Sequence, residues 1–107
     1  MIKYIEIVDG FYNRHKVRAD TLKGLAIHRT YLDHSLFTVS HINTGQALCQ
    51  RIKNRKMAIQ ARKEFLRIMN WNSVSDPESR KFTKKIKAKV TKIKEKFYST
   101  DEEAIND

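Results

Sequence analysis

The sequence predicts an α+β domain in which an antiparallel β-meander of three to five strands precedes two basic amphipathic helices. Two observations carry this prediction. Short β-branched or alternating segments separated by turn residues fill positions 2–52, and apolar residues recur at intervals of three and four from position 54 onwards. The length of 107 residues suits one domain, and 40% hydrophobic with 32% charged residues is typical of a globular protein. We expect residues 1–98 to form that domain.

The first half of the chain is predicted to form the meander. A β-branched run, IKYIEIV (2–8), is followed by Asp9-Gly10, a dipeptide typical of two-residue hairpin turns, and then by FYNRHKVRA. Alternating segments follow as LAIHRTY (25–31) and LFTVSHI (36–42). Asn43-Thr44-Gly45 predicts a turn before a last short strand, QALCQRI (46–52). An exposed edge strand of such a sheet can pair two copies, so a homodimer is an alternative to a monomer.

A first helix is predicted over residues 54–69. Asn54 is a suitable N-cap, and six apolar side chains recur at helical spacing to form one stripe: Met57, Ala58, Ala61, Phe65, Ile68 and Met69. The opposite side carries four cations: Arg55, Arg62, Lys63 and Arg67. Trp71 closes the apolar stripe, so we expect it to cover the edge of the core.

A second helix is predicted over residues 77–98. Asp76-Pro77-Glu78 is typical of a helix start, with a capping carboxylate, a proline in the first turn and an acid near the positive end of the helix dipole. Five large apolar side chains then step by four, four, three and four residues: Phe82, Ile86, Val90, Ile93 and Phe97. The remaining residues, 99–107, are acidic, and we expect a flexible tail there.

The net charge of +10 is the extreme property of this chain, and it is unevenly distributed. Residues 1–50 balance at +2, residues 51–67 and 76–98 each carry +6, and residues 99–107 carry −4. The stretch KFTKKIKAKVTKIKEKF (81–97) alone holds eight lysines and one glutamate. A field of this kind attracts polyanions and speeds association with them.

Three hypotheses account for these lysines. The first is a solvated exterior, but an exterior selected for solubility mixes glutamate with lysine, whereas eight lysines beside one glutamate repel one another. The second is a membrane surface, although the narrow apolar stripe is needed to bury the sheet. The third is nucleic acid, because lysines at successive helical turns can follow a phosphate backbone and release its counterions. Two separate basic segments favour the third hypothesis.

We therefore expect binding to DNA or RNA, mainly through phosphates and with low sequence specificity, because lysine acts as a point charge. The predicted contacts of the first helix region are Arg51, Lys53, Arg55, Lys56, Arg62 and Lys63. Those of the second helix are Lys84, Lys85, Lys89, Lys92 and Lys96. Among the strand aromatics, Tyr12 and Tyr31 are the candidates for exposed platforms on which unpaired bases stack, the alternative being burial in the core.

The order of features from residue 25 to 69 resembles the second half of a double-stranded-RNA-binding domain. A strand FTVSH, a turn at 43–45, a short strand ALCQ and a basic helix start KNRKMAIQARKEFL carry the resemblance. Arg55 and Lys56 match the basic pair of that family, and Ala58, Ala61 and Leu66 match its packing positions. The resemblance implies that the basic pair grips phosphates across a groove. The order also resembles the Whirly-type single-stranded-DNA-binding fold and the DNA-binding domains of phage integrases, and the small lysine-rich chain is similar to phage or mobile-element products.

Enzymatic chemistry is not indicated. His28, His34, His41 and Cys49 are spaced by six, seven and eight residues, which matches no compact zinc pattern. We expect strand or surface histidines, and a small buried Cys49 rather than a nucleophile. The chain has no phosphate-binding glycine loop and no nucleophile elbow, and no carboxylate pair stands out as a two-metal nuclease site. We predict no catalytic activity, no cofactor and no metal.

The setting and the alternative function follow from the same composition. A single cysteine and the lack of an 18-residue apolar run indicate a reducing compartment, the cytoplasm, and no membrane insertion. The alternative function is that of a small phage-type regulator or inhibitor whose basic helix docks on an acidic surface of a larger host protein.

Overall fold

A computed structural model describes residues 1–9, 11, 13–31, 33–74 and 83–99. Five antiparallel strands form one sheet in sequence order: β1 (Ile2–Val8), β2 (Arg14–Leu22), β3 (Leu25–Thr30), β4 (Asp33–His41) and β5 (Ala47–Ile52). They are followed by α1 (Arg55–Leu66), a short 3-10 helix (Trp71–Ser73) and α2 (Lys84–Phe97). The predicted α+β class, with a meander before two helices, is confirmed.

The first hairpin forms at the predicted place, with a longer loop than the two residues expected. Val8 pairs with Arg14, so five residues, 9–13, connect β1 to β2. The Asp9 carboxylate accepts hydrogen bonds from the backbone N–H groups of Phe11 and Asn13, at 2.8 and 3.0 Å. An Asp side chain that binds the backbone of its own loop stabilises the turn, which is why the loop extends beyond Asp9-Gly10.

The second hairpin contains a tight turn that the sequence pattern did not reveal. Leu22 pairs with Leu25, and the two residues between them, Lys23 and Gly24, have φ angles of 50° and 89°. Positive φ at both central residues is the type I′ geometry, whose twist matches that of the flanking strands. A Cβ on Gly24 would lie 2.7 Å from Asn72 Oδ1, so this turn also packs against the 3-10 helix.

Strand β3 has two buried faces. Leu25 and Ile27 point to the side covered by α1 and α2, and Ala26 between them points to the other side, where it packs with Ile5 and Ile7. Successive side chains of a strand alternate between faces, so the burial of four consecutive residues of β3, 25–28, requires layers on both sides. The β1–β2 hairpin supplies the second layer.

The sheet curves strongly, and this curvature places the β1–β2 hairpin against the second face of β3. The N–H of Val8 at the end of β1 donates to the carbonyl of Gly45, in the β4–β5 turn, at 2.9 Å. β1 and β4 are not neighbours in the sheet, so this bond shows that the sheet bends until the end of β1 meets the β4–β5 turn. The packing of Ile5 and Ile7 against Ala26 places the hairpin on the face opposite the helices. Register shifts in β4, between Phe37 and Val39 and between Val39 and Ser40, accompany the bend.

The helices close the larger core. Phe65 of α1 and Trp71 are almost fully buried, and the Trp71 indole N–H donates to the Phe65 carbonyl at 2.8 Å. His41 of β4 lies beside the same tryptophan, with Nε2 2.7 Å from the Trp71 carbonyl oxygen. The prediction that Trp71 covers the core edge is confirmed, and α2 adds Ile93 and Phe97 to this cluster.

Both helices begin with a capping side chain. Asn54 Oδ1 accepts from the Met57 N–H at 2.8 Å, which confirms the predicted N-cap, although α1 ends at Leu66 rather than at 69. α2 begins at Lys84, after the N-cap Thr83, whose backbone is extended, so the helix starts later than the predicted residue 77. The Asp76-Pro77-Glu78 segment itself lies outside the described residues. Within the described ranges, no helix is long and apolar enough to cross a membrane.

Candidate nucleic-acid interface

α1 carries an outer row of cations on the side opposite its buried face. Ala58, Ala61 and Phe65 pack against the sheet, and this fixes the rotation of the helix. Three cations then lie in line along the exposed side, at spacings of seven and four residues: Lys56, Lys63 and Arg67. No described residue forms an ion pair with any of the three.

α2 carries a second row of cations. Burial of Ile93 and Phe97 leaves most of the remaining helix surface in solvent. Four lysines recur at spacings of four, three and four residues and therefore share one side: Lys85, Lys89, Lys92 and Lys96. At 1.5 Å per residue this row is roughly 16 Å long. The first three of these lysines have no ion-pair partner in the part of the chain that the structure describes.

The last lysine of the row joins the two helices. Lys96 Nζ lies 3.0 and 3.2 Å from the two carboxylate oxygens of Glu64, on α1. This ion pair places the lysine row of α2 next to α1. It also leaves Lys96 with less free charge than Lys85, Lys89 and Lys92, so its predicted contact with phosphate competes with an internal partner.

The N-terminal turn of α2 concentrates positive charge. Thr83 Oγ1 accepts from the Ile86 N–H at 3.3 Å, and the first turn that follows holds no acidic residue. Lys84 and Lys85 are exposed there, at the end of the helix where the backbone dipole is also positive. Both effects lower the stability of this turn in the absence of an anion.

Arg62 is not part of the exposed surface, and the prediction that it contacts phosphate is corrected. Its side chain is 8% exposed, Nη1 donates to the Asp20 carbonyl at 2.8 Å, and Nη2 lies 3.5 Å from Asp20 Oδ2. The same carboxylate binds the N-terminal amine at 3.1 Å and Arg55 at 3.4 Å. Desolvation alone would raise the pKa of Asp20, but these positive partners outweigh it and lower the pKa. Arg62 therefore ties α1 to β2.

Arg51 and Lys53 are also engaged within the protein. Arg51 has a φ of 58°, its carbonyl accepts from the Ser99 N–H at 2.8 Å, and its Nε donates to the Ser99 carbonyl at 3.3 Å. This pairing fixes Ser99, the first residue of the predicted acidic tail, while residues 100–107 lie outside the described ranges. Lys53 is exposed, but it is not without an interaction partner.

Of the two tyrosines predicted as stacking platforms, Tyr12 lies outside the described residues. Tyr31 is 43% exposed rather than buried in the core, the alternative named for it, and its ring stacks on that of His15 with centroids 4.0 Å apart. His15 is itself fixed by Asp9, whose Oδ2 lies 2.8 Å from Nε2, a hydrogen bond that lowers the pKa of Asp9. The Tyr31 ring is thus held in a defined orientation at the surface.

The histidines and the cysteine have structural partners. His28 is buried between Ser40 Oγ at 2.7 Å and the Arg29 carbonyl at 2.8 Å, and burial lowers its pKa. Cys49 is buried, as predicted, and burial raises the pKa of its thiol to about 11, so it is a poor nucleophile. The described ranges contain no group of three His, Cys, Asp or Glu residues arranged to hold a metal ion.

No protein-family model, no curated protein and no solved structure matches this chain. The order of strand, turn, strand and helix on which the resemblance to a double-stranded-RNA-binding domain rests is present in the structure, and Ala58 and Ala61 are fully buried. Lys56 of the basic pair is exposed and has no ion-pair partner among the described residues, whereas Arg55 forms an ion pair with Asp20. The family resemblance stays a hypothesis based on local pattern.

Proposed function

We propose that this protein binds nucleic acid, DNA or RNA, through the phosphate backbone. The observation that carries the proposal is the alignment of exposed lysines along two neighbouring helices, without acidic partners among the described residues. The contact set comprises Lys56 and Lys63 on α1, Arg67 at its C-cap, and Lys84, Lys85, Lys89 and Lys92 on α2.

Electrostatics supports this assignment. Lys84 and Lys85 face the positive end of the α2 dipole, and the row behind them repeats the same charge at each turn. Such an arrangement lowers the stability of the free helix, whereas a phosphate chain beside it replaces repulsion by attraction. Each neutralised phosphate also releases condensed counterions, which favours binding at low salt.

The composition of the rows supports low sequence specificity. Base edges are read by the fixed donor and acceptor geometry of Arg, Asn and Gln side chains. Of the seven residues in the two rows, only Arg67 has such a group, and every other member is a lysine. Phosphate contacts fix position and affinity, and carry no sequence information of their own.

An acidic surface on a larger protein is the competing partner, and the chemistry of α2 disfavours it. Protein interfaces are centred on buried aromatic or arginine anchors and are depleted in lysine. The exposed side of α2 presents lysines with Ala88, Thr91 and Glu95, and none of these residues is an anchor of that kind. A long, uniform row of point charges suits a polymer of regularly spaced phosphates better.

The test is fluorescence anisotropy with labelled single-stranded and double-stranded DNA and RNA, each over a range of salt concentrations. The variant K84Q/K85Q/K89Q removes three proposed contacts. The control K3Q/K16Q/K23Q removes the same charge from exposed lysines of the β1–β2–β3 region. If each helix lysine neutralises one phosphate of duplex DNA, the slope of log K against log salt becomes less steep by about 2 to 3 in the helix variant.

The control variant decides whether the effect is local. It should lower affinity only slightly, because its lysines act at long range and are screened by salt. Equal losses in both variants would mean that net charge alone attracts the polyanion and that the helices are not the site. Absence of binding to all four nucleic acids at low salt would reject the proposal and favour the host-protein partner, which a pull-down surviving nuclease treatment would then reveal.

A further inference from the structure

A cleft opens where β2 separates from β3. The two strands pair only between residues Asp20–Leu22 and Leu25–Ile27, whereas β2 stays paired with β1 over its whole earlier part. Beyond Asp20 and Ile27, the hairpin that folds over the sheet carries β2 away from β3. The space left between the strands has a volume of about 500 Å³, within the usual range for small-ligand sites.

The lining of this cleft combines positive charge with aromatic rings. Three arginines reach it from three different elements: Arg18 from β2, Arg29 from β3 and Arg55 from α1. Tyr31 and Phe37 add aromatic surface, and none of the described lining residues is acidic. A purely apolar ligand would not use the arginine N–H donors that remain beside the bonds of Arg29 to His34 and of Arg55 to Asp20, and a bare anion would leave the rings unused.

The guanidinium group of Arg29 is fixed in an orientation that suits phosphate binding. It pairs across the strands with Phe37, and its guanidinium carbon lies 5.1 Å from the centre of that ring. Nη1 donates to the His34 carbonyl at 2.7 Å, which uses one of the five N–H donors of the group. A planar guanidinium fixed above an aromatic ring needs little reordering to bind phosphate oxygens in a bidentate manner.

Tyr31 supplies a fixed surface for a base. Its stacking on His15 and the bond from His15 to Asp9 hold the ring, while the side chain remains partly exposed at the mouth of the cleft. Bases stack on such rings only when they are unpaired, because a duplex keeps its bases in its own stack. The cleft therefore discriminates against a double helix.

We propose that this cleft binds one unpaired nucleotide, with its base against Tyr31 and its phosphate on Arg29 and Arg18. The proposal rests on the proposed nucleic-acid binding and narrows the ligand to single strands. The cleft would bind one nucleotide of the strand, while the lysine rows contact the phosphates on either side of it. A free mononucleotide presents the same chemistry as one unit of a strand, and the experiment separates the two sources.

The first measurement is an amide chemical-shift titration of the ¹⁵N-labelled protein with adenosine 5′-monophosphate, ribose 5-phosphate and inorganic phosphate. We expect the monophosphate to shift the amides of β2 and β3 around the cleft most strongly, because it alone engages both the rings and the arginines. Equal shifts with inorganic phosphate would overturn the proposal, since the site would then bind anions only.

The second measurement compares Y31L and R29Q with the control F11L, which removes an exposed aromatic ring outside the cleft. Y31L should weaken binding to single-stranded oligonucleotides at least about fivefold and leave duplex binding unchanged. F11L should leave both unchanged. Amide spectra of each variant show whether it is folded, and the titration of the wild-type chain tests the cleft even where a variant is not.

The outcomes separate this inference from the proposed function. If Y31L loses affinity for single-stranded oligonucleotides only, the result supports both the cleft proposal and the proposed function. Wild-type affinity of Y31L for every ligand, with weakened binding in K84Q/K85Q/K89Q, overturns the cleft proposal and leaves the phosphate-binding helices in place. Shifts with adenosine monophosphate but no binding of any oligonucleotide support the cleft as a site for free nucleotides and reject the proposed function.

Discussion

Arg62 and its neighbour Lys63 offer the sharpest test of how the structure assigns roles to similar residues. Both are cations of α1, yet Arg62 is buried against Asp20 while Lys63 is exposed without a described partner. Replacement of each by methionine removes the charge and preserves most of the side-chain length. We expect R62M to destabilise the fold without changing affinity for nucleic acid. We expect K63M to weaken nucleic-acid binding without changing the stability of the fold.

The size of the effect follows from the contacts of Arg62. The substitution removes a charged hydrogen bond of 2.8 Å to a backbone carbonyl and an ion pair of 3.5 Å. Hydrogen bonds that involve charged groups contribute about 1.5 to 3 kcal/mol. Because the Asp20 carboxylate keeps the N-terminal amine and Arg55, it is not left unpaired, and we expect a loss of about 2 kcal/mol.

That loss is easily measured. It lowers the melting temperature of a domain of this size by roughly 10 °C, and the midpoint of urea unfolding falls accordingly. K63M, a surface change, should stay within about 0.5 kcal/mol of the wild-type stability. Affinity is measured at a temperature where both variants are folded. Wild-type stability of R62M combined with weakened nucleic-acid binding would refute the structural role of Arg62.

Two further predictions concern the core and its turns. G24A should lower the free energy of unfolding by on the order of 1 to 3 kcal/mol, because φ is 89° and the new Cβ would lie 2.7 Å from Asn72 Oδ1; wild-type behaviour in urea would contradict the turn geometry. His28 has a lowered pKa, so its contribution to stability is complete above about pH 6.5 and falls as pH decreases, because the unfolded chain takes up the proton first. The loss of stability between pH 7.5 and 5 should be smaller in H28Q than in the wild type, and equal losses would contradict a neutral buried imidazole.

Much of the architecture could be predicted because it depends on local periodicity. The β-branched run in residues 2–8 predicted β1 with its observed bounds, and the spacing of Ala58, Ala61 and Phe65 predicted the buried face of α1. The cap at Asn54 and the turn near Gly45 depend on a few consecutive residues. Patterns of this kind are visible in sequence because the residues that interact are close along the chain.

The roles of individual cations could not be predicted in the same way. Arg62 lies beside Ala58 and Phe65 on the helix, but its charge indicated an exposed position, and its partner Asp20 is 42 residues earlier in the chain. The same limitation applies to Arg51, whose partner Ser99 follows 48 residues later. Local sequence carries no signal for such pairs.

Most elements of this protein, their order and the excess of positive charge in its second half can be predicted from local patterns of residues. Which cations are exposed, which ones stabilise the fold, and that Arg18, Arg29 and Arg55 meet Tyr31 in one cleft depend on folding. The cleft exists because β2 diverges from β3. That divergence is set by the curvature of the sheet and by the contact between Val8 and Gly45, and these residues are brought together only by folding.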